Sequence, residues 1–546
     1  MRNTRSIIIT DVSINRIVVH IEGENTNPDL EITQMIIRDY MSNDKLEPTH
    51  VDWDGNKFKI SFNLMSLNEE LPIHTGDWYL IAIDHKHKNH ECYPVDDLIE
   101  RINERTFNIT NRYSAYFDKD VDNYYHAESK IDEDNNSYFM KIVYRKPKQL
   151  PTLRKRFKKA YKGRLRKIRQ WGYIKVFDFY KHFNKPDGNR LLFTSSSRAK
   201  IGGNQKFVYD RMVERGVDKQ FHIDFSYKDS IKSYRRLFKK FSFARRLAMA
   251  NIVIVDDYQP EIYLVDFLPH VQVIQLWHAC GAFKTVGLER MGKPGAPKFD
   301  TRVHKCYTAM TVSSKLAAMH YAEAFGIEEN KIKPLGVPRT DIFFDEDYKK
   351  MIVPQVLKAF PMIKTAKEVI MYAPTFRGIN AKKASFPMDM IDYDLIGQYL
   401  LAHESIMLIK MHPFVKKPLD IPEEYKNVII DASSFREINN MLFCTDILIT
   451  DYSSVIYEFS LFNKPMLFYA FDRMKYEADR GFYEPYSDMV PGKIVRTSEG
   501  LVRALEKRDF EFEKVGPFVE KNFRFTDGKS TDRIIDQLIL RKTHEE

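Results

Sequence analysis

Hydrophobic and polar residues follow two different patterns along the chain. In residues 1–148, runs such as KFKISFNL and DWYLIAID alternate apolar and polar positions with a period of two, which is typical of half-buried antiparallel strands. From residue 191 onward, short β-branched runs such as NIVIVDD and DILITD alternate with helical stretches, as in parallel sheets with crossover helices. The pattern predicts an N-terminal antiparallel β domain, interpreted as a sandwich, followed by an α/β region.

The α/β region contains two consecutive series of strand-like runs. We interpret residues 191–355 and 356–546 as two Rossmann-like domains, joined to residues 1–148 by a helical linker at 149–190. Two such domains facing a cleft match the GT-B architecture. Neither G-x-G-x-x-G nor G-x-x-x-x-G-K-[ST] occurs, so neither dinucleotide oxidoreductase nor P-loop chemistry is supported.

The predicted linker concentrates the positive charge of the chain. Residues 151–170 hold ten Lys/Arg and no Asp/Glu, which equals the formal net charge of +10 of the whole chain. Apolar residues recur there at three- and four-residue steps and predict a helix with an apolar stripe and a cationic face: Leu153, Phe157, Tyr161, Leu165, Ile168 and Trp171. Residues 153–171 are therefore predicted to bind an anionic membrane surface. A solvated or domain-packed helix and a nucleic-acid patch are the alternatives.

Composition indicates a chain that folds around a core and works in a reducing compartment. It is 43% hydrophobic and 29% charged, and no apolar run approaches the ~20 residues of a membrane-spanning helix. The N-terminal apolar stretch is too short for a signal peptide. The four cysteines are widely spaced and show neither metal spacing nor a disulfide framework. We expect a peripheral protein at the cytoplasmic face of the cell membrane.

Two histidines follow strand-like runs of the α/β region. His278 ends the run VQVIQLWH, with Lys284 six residues further on, and Lys410 and His412 end the run IMLIKMHPF, which Pro413 stops. Open α/β sheets bind ligands at the carboxyl ends of their strands. Both histidines are therefore candidate functional residues.

A polar turn between a strand-like run and a predicted amphipathic helix lies at residues 450–469, TDYSSVIYEFSLFNKPMLFY. Asp451, Ser453 and Ser454 provide side-chain oxygens at the helix start, where anions bind readily. Glu458 follows Ser454 by one helical turn on the same face. The arrangement would suit a phosphate with a neighbouring ribose diol, and an ordinary capped helix is the alternative.

These segments together resemble a known family. WHACGAFKT, GVPRTD, MYAPTFR, KMHPF, TDYSSVIYEF and KPMLFYAFD followed by RGFY look like the CDP-glycerol/CDP-ribitol phosphotransferases that build wall teichoic acid, over roughly residues 191–524. Family members with a glycerol substrate typically have WHGTPLK at the first motif. Here Ala279 and Cys280 replace Gly and Thr and the motif is one residue longer, which is more similar to the ribitol-phosphate polymerases.

The resemblance implies a reaction and roles for individual residues. Ribitol-phosphate would pass from CDP-ribitol to the terminal hydroxyl of an undecaprenyl-linked teichoic acid chain, with release of CMP. His278 would be the general base, because imidazole titrates in the right range, and His412 would contact the donor pyrophosphate. The expected substrate-binding residues are Lys284, Arg339, Pro374, Thr375, Arg377, Lys410, Asp451, Ser453, Ser454 and Glu458. No metal site or cofactor is predicted, although Mg²⁺ could arrive with the substrate.

Four alternatives remain open from the sequence. CDP-glycerol could replace CDP-ribitol as donor, or a GT-B glycosyltransferase could use a nucleotide sugar in the same cleft. A nucleic-acid-binding protein would explain the basic helix but not the strand-end histidines, and we expect no nucleic-acid partner. A non-catalytic scaffold built on the β domain is the last alternative.

Overall fold

A computed structural model describes residues 6–15, 17–68, 72–103, 112–116, 124–132, 135–144, 153–228, 235–290, 302–378 and 384–542. The chain divides into two compact units. Unit 1 comprises Met1–Leu150, Thr375–Ile396 and Met411–Tyr425, and unit 2 comprises Pro151–Pro374, Gly397–Lys410 and Lys426–Glu546.

Unit 1 is built on β-structure. Its described elements are β1 (Ile7–Asn15), β2 (Val18–Asn25), β3 (Ile32–Asp39), β4 (Asp44–Leu46), β5 (His50–Asp54), β6 (Lys57–Asn63), β7 (Gly76–Asp84), β8 (Asn89–Pro94), α1 (Asp96–Asn103), β9 (Arg112–Tyr116), β10 (Tyr124–Ile131) and β11 (Tyr138–Tyr144). The sheet order is β5-β6-β2-β1-β8-β7-β11-β10-β9, with β3 pairing with β4 and β7. The described pairs are antiparallel except β1 with β8, and all eleven strands belong to one hydrogen-bonded sheet. The sandwich expected from the sequence stays a prediction.

One hydrophobic core connects the two halves of this sheet. Ile21 and Phe58, from β2 and β6, share a buried cluster with Trp78 and Tyr138, from β7 and β11. The period-two pattern accounts for this, since alternate residues of β6 are buried while their neighbours face outward. The segment Thr375–Ile396 belongs to this unit, and its Asp389 accepts a hydrogen bond of 2.6 Å from the buried guanidinium of Arg38.

Unit 2 contains two parallel six-stranded sheets. The strands of the first are β12 (Arg190–Ser195), β13 (His222–Tyr227), β14 (Ile252–Val255), β15 (Gln272–Gln275), β16 (Ala309–Thr311) and β17 (Ile332–Lys333), in the order β13-β12-β14-β15-β16-β17. Those of the second are β18 (Glu368–Ala373), β19 (Ser405–Ile409), β20 (Ile429–Asp431), β21 (Ile447–Thr450), β22 (Met466–Tyr469) and β23 (Lys493–Val495), in the order β20-β19-β18-β21-β22-β23. The central strands are buried throughout, as strands covered on both faces must be.

Helices alternate with these strands. They are α2 (Leu153–Lys181), α3 (Gly203–Glu214), α4 (Leu237–Met249), α5 (Lys315–Phe325), α6 (Glu346–Ala359), α7 (Tyr393–Ala402), α8 (Ile438–Leu442), α9 (Val455–Ser460), α10 (Arg473–Arg480), α11 (Tyr486–Met489), α12 (Ser498–Glu506), α13 (Val515–Asn522) and α14 (Ser530–Ile534), which continues as a π-helical turn at Ile535–Ile539. This last helix returns to the first sheet, where Ile534 and Leu538 share a core with Leu191 and Ile274.

The basic helix α2 is longer than the predicted stripe and differs along its length. Tyr173 and Phe177 are buried against α4. Tyr161, Ile168 and Trp171, which precede them, are 66%, 58% and 63% exposed. Among the described residues, no helix has the length and apolar content needed to cross a membrane.

Candidate active site

His278 lies on the loop that follows β15, at the carboxyl edge of the first sheet. Just beyond β15, the Leu276 amide still donates to the Val255 carbonyl of the neighbouring strand β14. The next residue, Trp277, has a left-handed φ of 48°. Such a backbone is strained for a bulky residue and persists only when its surroundings hold it. The Trp277 amide donates to Gln275 Oε1 at 2.9 Å, and its carbonyl accepts from Asn204 Nδ2 at 2.7 Å. These bonds fix the direction in which His278 leaves the sheet.

The His278 ring is exposed to solvent, and charged neighbours affect its pKa. Half of its side chain is exposed, and Nδ1 lies 3.7 Å from Oδ1 of Asp257. Desolvation by the surrounding protein lowers the pKa of His278, Asp257 opposes this shift, and the positive charges of Arg339 and Arg198 add to it. A lowered pKa keeps the imidazole neutral near pH 7, which is the form that can accept a proton.

A second carboxylate lies beside Asp257. Asp256 is almost fully buried after β14, and Arg198 lies 2.9 Å from it. Burial raises the pKa of Asp256 to about 6, Arg198 opposes the shift, and the charge of Asp257 adds to it. The two neighbouring carboxyls therefore differ in environment, and Asp257 is the one placed near the histidine.

Arg339 and Glu458 connect the two sheets of unit 2. Arg339, in the GVPRTD motif, donates to the buried carboxylate of Glu458 on α9. Its own amide donates to Asn204 Oδ1 at 3.1 Å, so Asn204 holds both this motif and the Trp277 carbonyl. The structure thus brings together two predicted substrate-binding residues, and Arg339 is also within electrostatic range of His278.

The polar turn after β21 differs in detail from the prediction. All six residues of α9 are buried, so the helix predicted to be amphipathic is not; it is enclosed by the core of unit 2. Ser454 is the N-cap residue without a side-chain capping bond, whereas Ser453 Oγ accepts from the Val455 amide at 3.4 Å. Asp451 is fully buried, and its carbonyl accepts from the Tyr486 hydroxyl.

The loop from Gly281 to Lys284 reaches helices α9 and α10. A Cβ atom at Gly281 would lie 2.1 Å from the Tyr457 ring, so only glycine permits this approach. Lys284 Nζ donates to the Tyr476 hydroxyl at 2.8 Å. Lys284 is therefore held at the contact between the loop and α10.

Lys410 and Pro374 end neighbouring strands of the second sheet. The Lys410 ammonium donates to the Ser433 carbonyl at 3.1 Å, and burial lowers its pKa against the opposing charges of Asp431 and Glu437. Pro374 follows β18 directly, where the Ala373 carbonyl accepts from Thr450 Oγ1. Lys410 is thus engaged with the main chain of its own sheet.

Three predicted residues belong to unit 1. His412 is enclosed by Phe376 and Phe414, with ring centroids 4.7 Å away in both cases. Its Nδ1 accepts from the Phe414 amide at 3.1 Å, which leaves the proton of a neutral ring on Nε2, a hydrogen-bond donor. Arg377 is fully buried, and its guanidinium donates to the Thr375 carbonyl at 2.6 Å.

Sequence reasoning missed four residues that build the site: Arg198, Asn204, Asp257 and Gln275. Asp257 could have been found, since the run NIVIVDD ends in two carboxylates at a strand end, as the two histidine runs do. Asn204 and Gln275 act through main-chain contacts that no local pattern reveals. In the part of the chain that the structure describes, no group of three His, Cys, Asp or Glu side chains could hold a metal ion.

Comparison with known proteins identifies the family. Residues 176–540 match the family described as CDP-Glycerol:Poly(glycerophosphate) glycerophosphotransferase. The teichoic acid ribitol-phosphate polymerase TarL of Staphylococcus aureus is 36% identical over 97% of this chain and 99% of its own length. The ribitol-phosphate polymerase TarK of the same organism is 45% identical over 67% of this chain and 71% of its own.

A solved structure agrees at the level of fold. The wall teichoic acid polymerase TagF matches with a TM-score of 0.56 and 21% identity, over 72% of this chain and 98% of the other. The family expected from the motifs is confirmed: the chain belongs to the CDP-glycerol:poly(glycerophosphate) glycerophosphotransferase family.

Proposed function

We propose that the protein transfers ribitol-phosphate from CDP-ribitol to the terminal hydroxyl of a lipid-linked teichoic acid chain and releases CMP. The observation that carries the proposal is the accessible His278, held at a strand end beside Asp257 and near the Arg339–Glu458 pair. The ribitol donor is supported by similarity to the ribitol-phosphate polymerase TarL along nearly the whole chain.

In the proposed reaction the acceptor hydroxyl attacks the phosphorus that carries ribitol. Its proton passes to His278 Nε2 as the new P–O bond forms, and Asp257 stabilises the resulting imidazolium. The bond from that phosphorus to the bridging oxygen of the pyrophosphate breaks, and CMP leaves with the electron pair. Such a transfer depends on positioning and on stabilisation of the developing charge.

The positive charge needed at the donor would come from groups that are paired in the structure. Donor phosphates would compete with Glu458 for Arg339, and the Glu458 carboxylate would then be available to the ribose hydroxyls. His412, with its proton on Nε2, would donate to the leaving phosphate. Ser453 and Ser454 would contribute hydroxyl groups to the pyrophosphate, and Lys284, Pro374, Thr375, Arg377, Lys410 and Asp451 would border the donor.

The two parallel sheets of unit 2 support a GT-B-like arrangement of two Rossmann-like domains, proposed at residues 191–355 and at 356–546 without the segments Thr375–Ile396 and Met411–Tyr425, which belong to unit 1. Helix α2 would hold the enzyme at the cytoplasmic face of an anionic membrane. Tyr161 and Ile168 are seven residues apart, so they share one helix face, and both are exposed. Basic residues alternate with them, as in helices that lie on membrane surfaces.

The decisive experiment measures CMP release from CDP-ribitol and from CDP-glycerol, each with a lipid-linked acceptor. Release from CDP-ribitol alone is expected. Preference for CDP-glycerol would reassign the donor, and activity only with nucleotide sugars would favour a glycosyltransferase. That no protein-bound metal is needed stays a prediction, which assays in EDTA with Mg²⁺ added back would test.

A further inference from the structure

Three cationic side chains, Lys228, Arg235 and Lys240, lie near one carboxylate, Glu261, beside the first sheet of unit 2. Lys228 follows β13, Arg235 lies just before α4 and Lys240 lies in its first turn, while Arg166 and Arg169 on α2 lie near Lys240. We call these six residues the Glu261 cluster. The proposed chemistry at His278 uses none of them.

Arg235 anchors the cluster from a buried position. Its side chain is 7% exposed, Nε lies 3.3 Å from Glu261 Oε2, and the guanidinium lies 4.3 Å above the Phe243 ring. Its Nη2 atom is buried without a hydrogen-bond partner. Buried donors are nearly always satisfied, and a charged one is costly to leave unpaired. An oxyanion bound here would supply the missing acceptor.

Lys240 and Lys228 lie near the same carboxylate as Arg235. Lys240 Nζ lies 5.3 Å from the centre of the Tyr173 ring, and Lys228 Nζ lies 3.9 Å from Glu261 Oε2. Burial lowers the pKa of Lys240, and Arg169, Lys228 and Arg166 add to this against the opposing charge of Glu261. Three cations therefore lie near one carboxylate, two further ones on α2 lie near Lys240, and the excess positive charge favours an anionic ligand.

The cluster lies on the same sheet edge as His278. Strands β15, β14, β12 and β13 are consecutive neighbours, and their carboxyl ends lead to His278, Asp257, Arg198 and Lys228 in that order. The Lys228 amide donates to the carbonyls of Ser195 and Arg198, which fixes it to this edge. Three strand spacings separate the two ends of the row, or about 14 Å.

We propose that the Glu261 cluster binds a backbone phosphodiester of the acceptor polymer, behind the terminal hydroxyl that His278 activates. This inference rests on the proposed function and adds an acceptor subsite to it. The distance of about 14 Å from His278 to Lys228 leaves room for polymer between the reacting hydroxyl and the bound phosphate. Beyond Lys228 the Glu261 cluster includes residues of α2, the helix proposed to face the membrane that carries the lipid end of the acceptor.

The test compares a Lys228→Gln/Lys240→Gln variant with an Arg236→Gln/Lys239→Gln control. Arg236 and Lys239 are exposed neighbours on the same helix start, so both variants lose two positive charges. Two lipid-free ribitol-phosphate acceptors are used, one with a single repeat and one with several. Binding of the labelled long acceptor is measured by fluorescence anisotropy without donor, and steady-state kinetics give the KM of each acceptor and of CDP-ribitol.

The cluster variant should raise the Kd and KM of the long acceptor about tenfold, the scale of one lost hydrogen bond to a charged group. The KM values of the single-repeat acceptor and the donor should stay unchanged, as should all values of the control. An equal loss for both acceptors, an equal loss in the control, or no loss would overturn the proposal. Loss of vesicle binding alone would assign the cluster to lipid headgroups instead.

These measurements distinguish a wrong acceptor subsite from a wrong reaction. If the wild type binds the long acceptor through the cluster but releases no CMP from CDP-ribitol, the proposed function fails and the polyanion site stands. If CMP release is normal and the cluster variant binds the long acceptor as the wild type does, the subsite is wrong and the proposed function stands. Arg235→Lys, which keeps the charge but loses the guanidinium donors, should weaken long-acceptor binding without a change in net charge.

Discussion

The Nδ1 atom of His278 lies 3.7 Å from a carboxylate oxygen of Asp257, and this carboxylate raises the pKa of an imidazole that desolvation otherwise lowers. Asp257→Asn removes that opposing charge, so the pKa of His278 should fall further. The acidic limb of the kcat/KM profile should therefore move to lower pH. The plateau should drop about tenfold or more, because the base is weaker and the imidazolium is less stabilised.

The matched control for this prediction is Asp266→Asn, which removes an exposed carboxylate on the segment after β14. This control variant should change neither the acidic limb nor the plateau of the kcat/KM profile. His278→Ala should abolish turnover while donor binding survives. If Asp257→Asn lowers the rate with the pH limb unchanged, Asp257 supports the loop rather than the charge of the histidine.

Arg339 and Glu458 form a pair whose loss should affect stability in an asymmetric way. Arg339→Met leaves the Glu458 carboxylate buried without its cation, which should lower the free energy of unfolding by about 3 kcal/mol. Glu458→Gln should be milder, since a quarter of the Arg339 side chain is exposed. The double variant should recover most of the loss.

Chemical denaturation of the four proteins in this cycle checks the prediction. The exposed pair of Lys206 and Asp210 on α3, 2.6 Å apart, offers the comparison, and Lys206→Met should change the unfolding free energy by less than about 0.5 kcal/mol. If Arg339→Met and Lys206→Met lowered the free energy of unfolding equally, the Arg339–Glu458 pair would be exposed to water in solution.

Much of unit 2 could be predicted from the sequence because its buried strands are short β-branched runs. Strand β13, with the sequence HIDFSY, was missed because polar residues interrupt it and only its pairing with β12 makes it a strand. On α2, Tyr161, Ile168 and Trp171 of the predicted stripe are exposed, whereas the pattern does not predict that Tyr173 and Phe177 further along the helix are buried. The prediction that α9 is amphipathic is wrong, because its Glu458 is buried by pairing with Arg339.

The site residues, too, could be predicted only where the local sequence reveals them. Strand ends identified His278, because the position of a residue relative to a strand can be read locally. The partners of that residue depend on which strands become neighbours, and β14 brings Asp257 beside β15 only in the folded sheet. The Arg339–Glu458 contact joins residues 119 positions apart, a separation that no periodicity bridges.

His412 should act on the donor through its Nε2 proton. Nδ1 accepts from the Phe414 amide, so the neutral ring presents a donor on its other nitrogen. His412→Ala should raise the KM for CDP-ribitol and lower kcat, because both the bound and the leaving phosphate lose a partner. His412→Gln keeps an N–H donor and should retain more of both. An unchanged donor KM in His412→Ala would contradict the assignment, and His403→Ala, at the end of α7, serves as control.

The last prediction concerns attachment of the enzyme to the membrane. Trp171 on α2 is largely exposed to water, on a helix that carries a dense basic segment. Its fluorescence should shift to shorter wavelength when anionic vesicles are added, and the shift should weaken as salt rises, because surface attraction decays within about a Debye length of 10 Å at 0.1 M salt. Neutral vesicles should produce little change, since one amphipathic helix binds reversibly and needs the charge.

Two variants separate the contributions of charge and apolar contact. Replacing Arg154, Lys155, Arg156, Lys158 and Lys159 with Gln should release the protein from anionic vesicles, while CMP release with a short soluble acceptor persists. Ile168→Ser, which alters the exposed stripe without changing charge, should weaken binding at all salt concentrations. Sedimentation of the charge variant with anionic vesicles as efficiently as the wild type would show that α2 does not face the membrane, because the helix could not then owe its attachment to the basic segment.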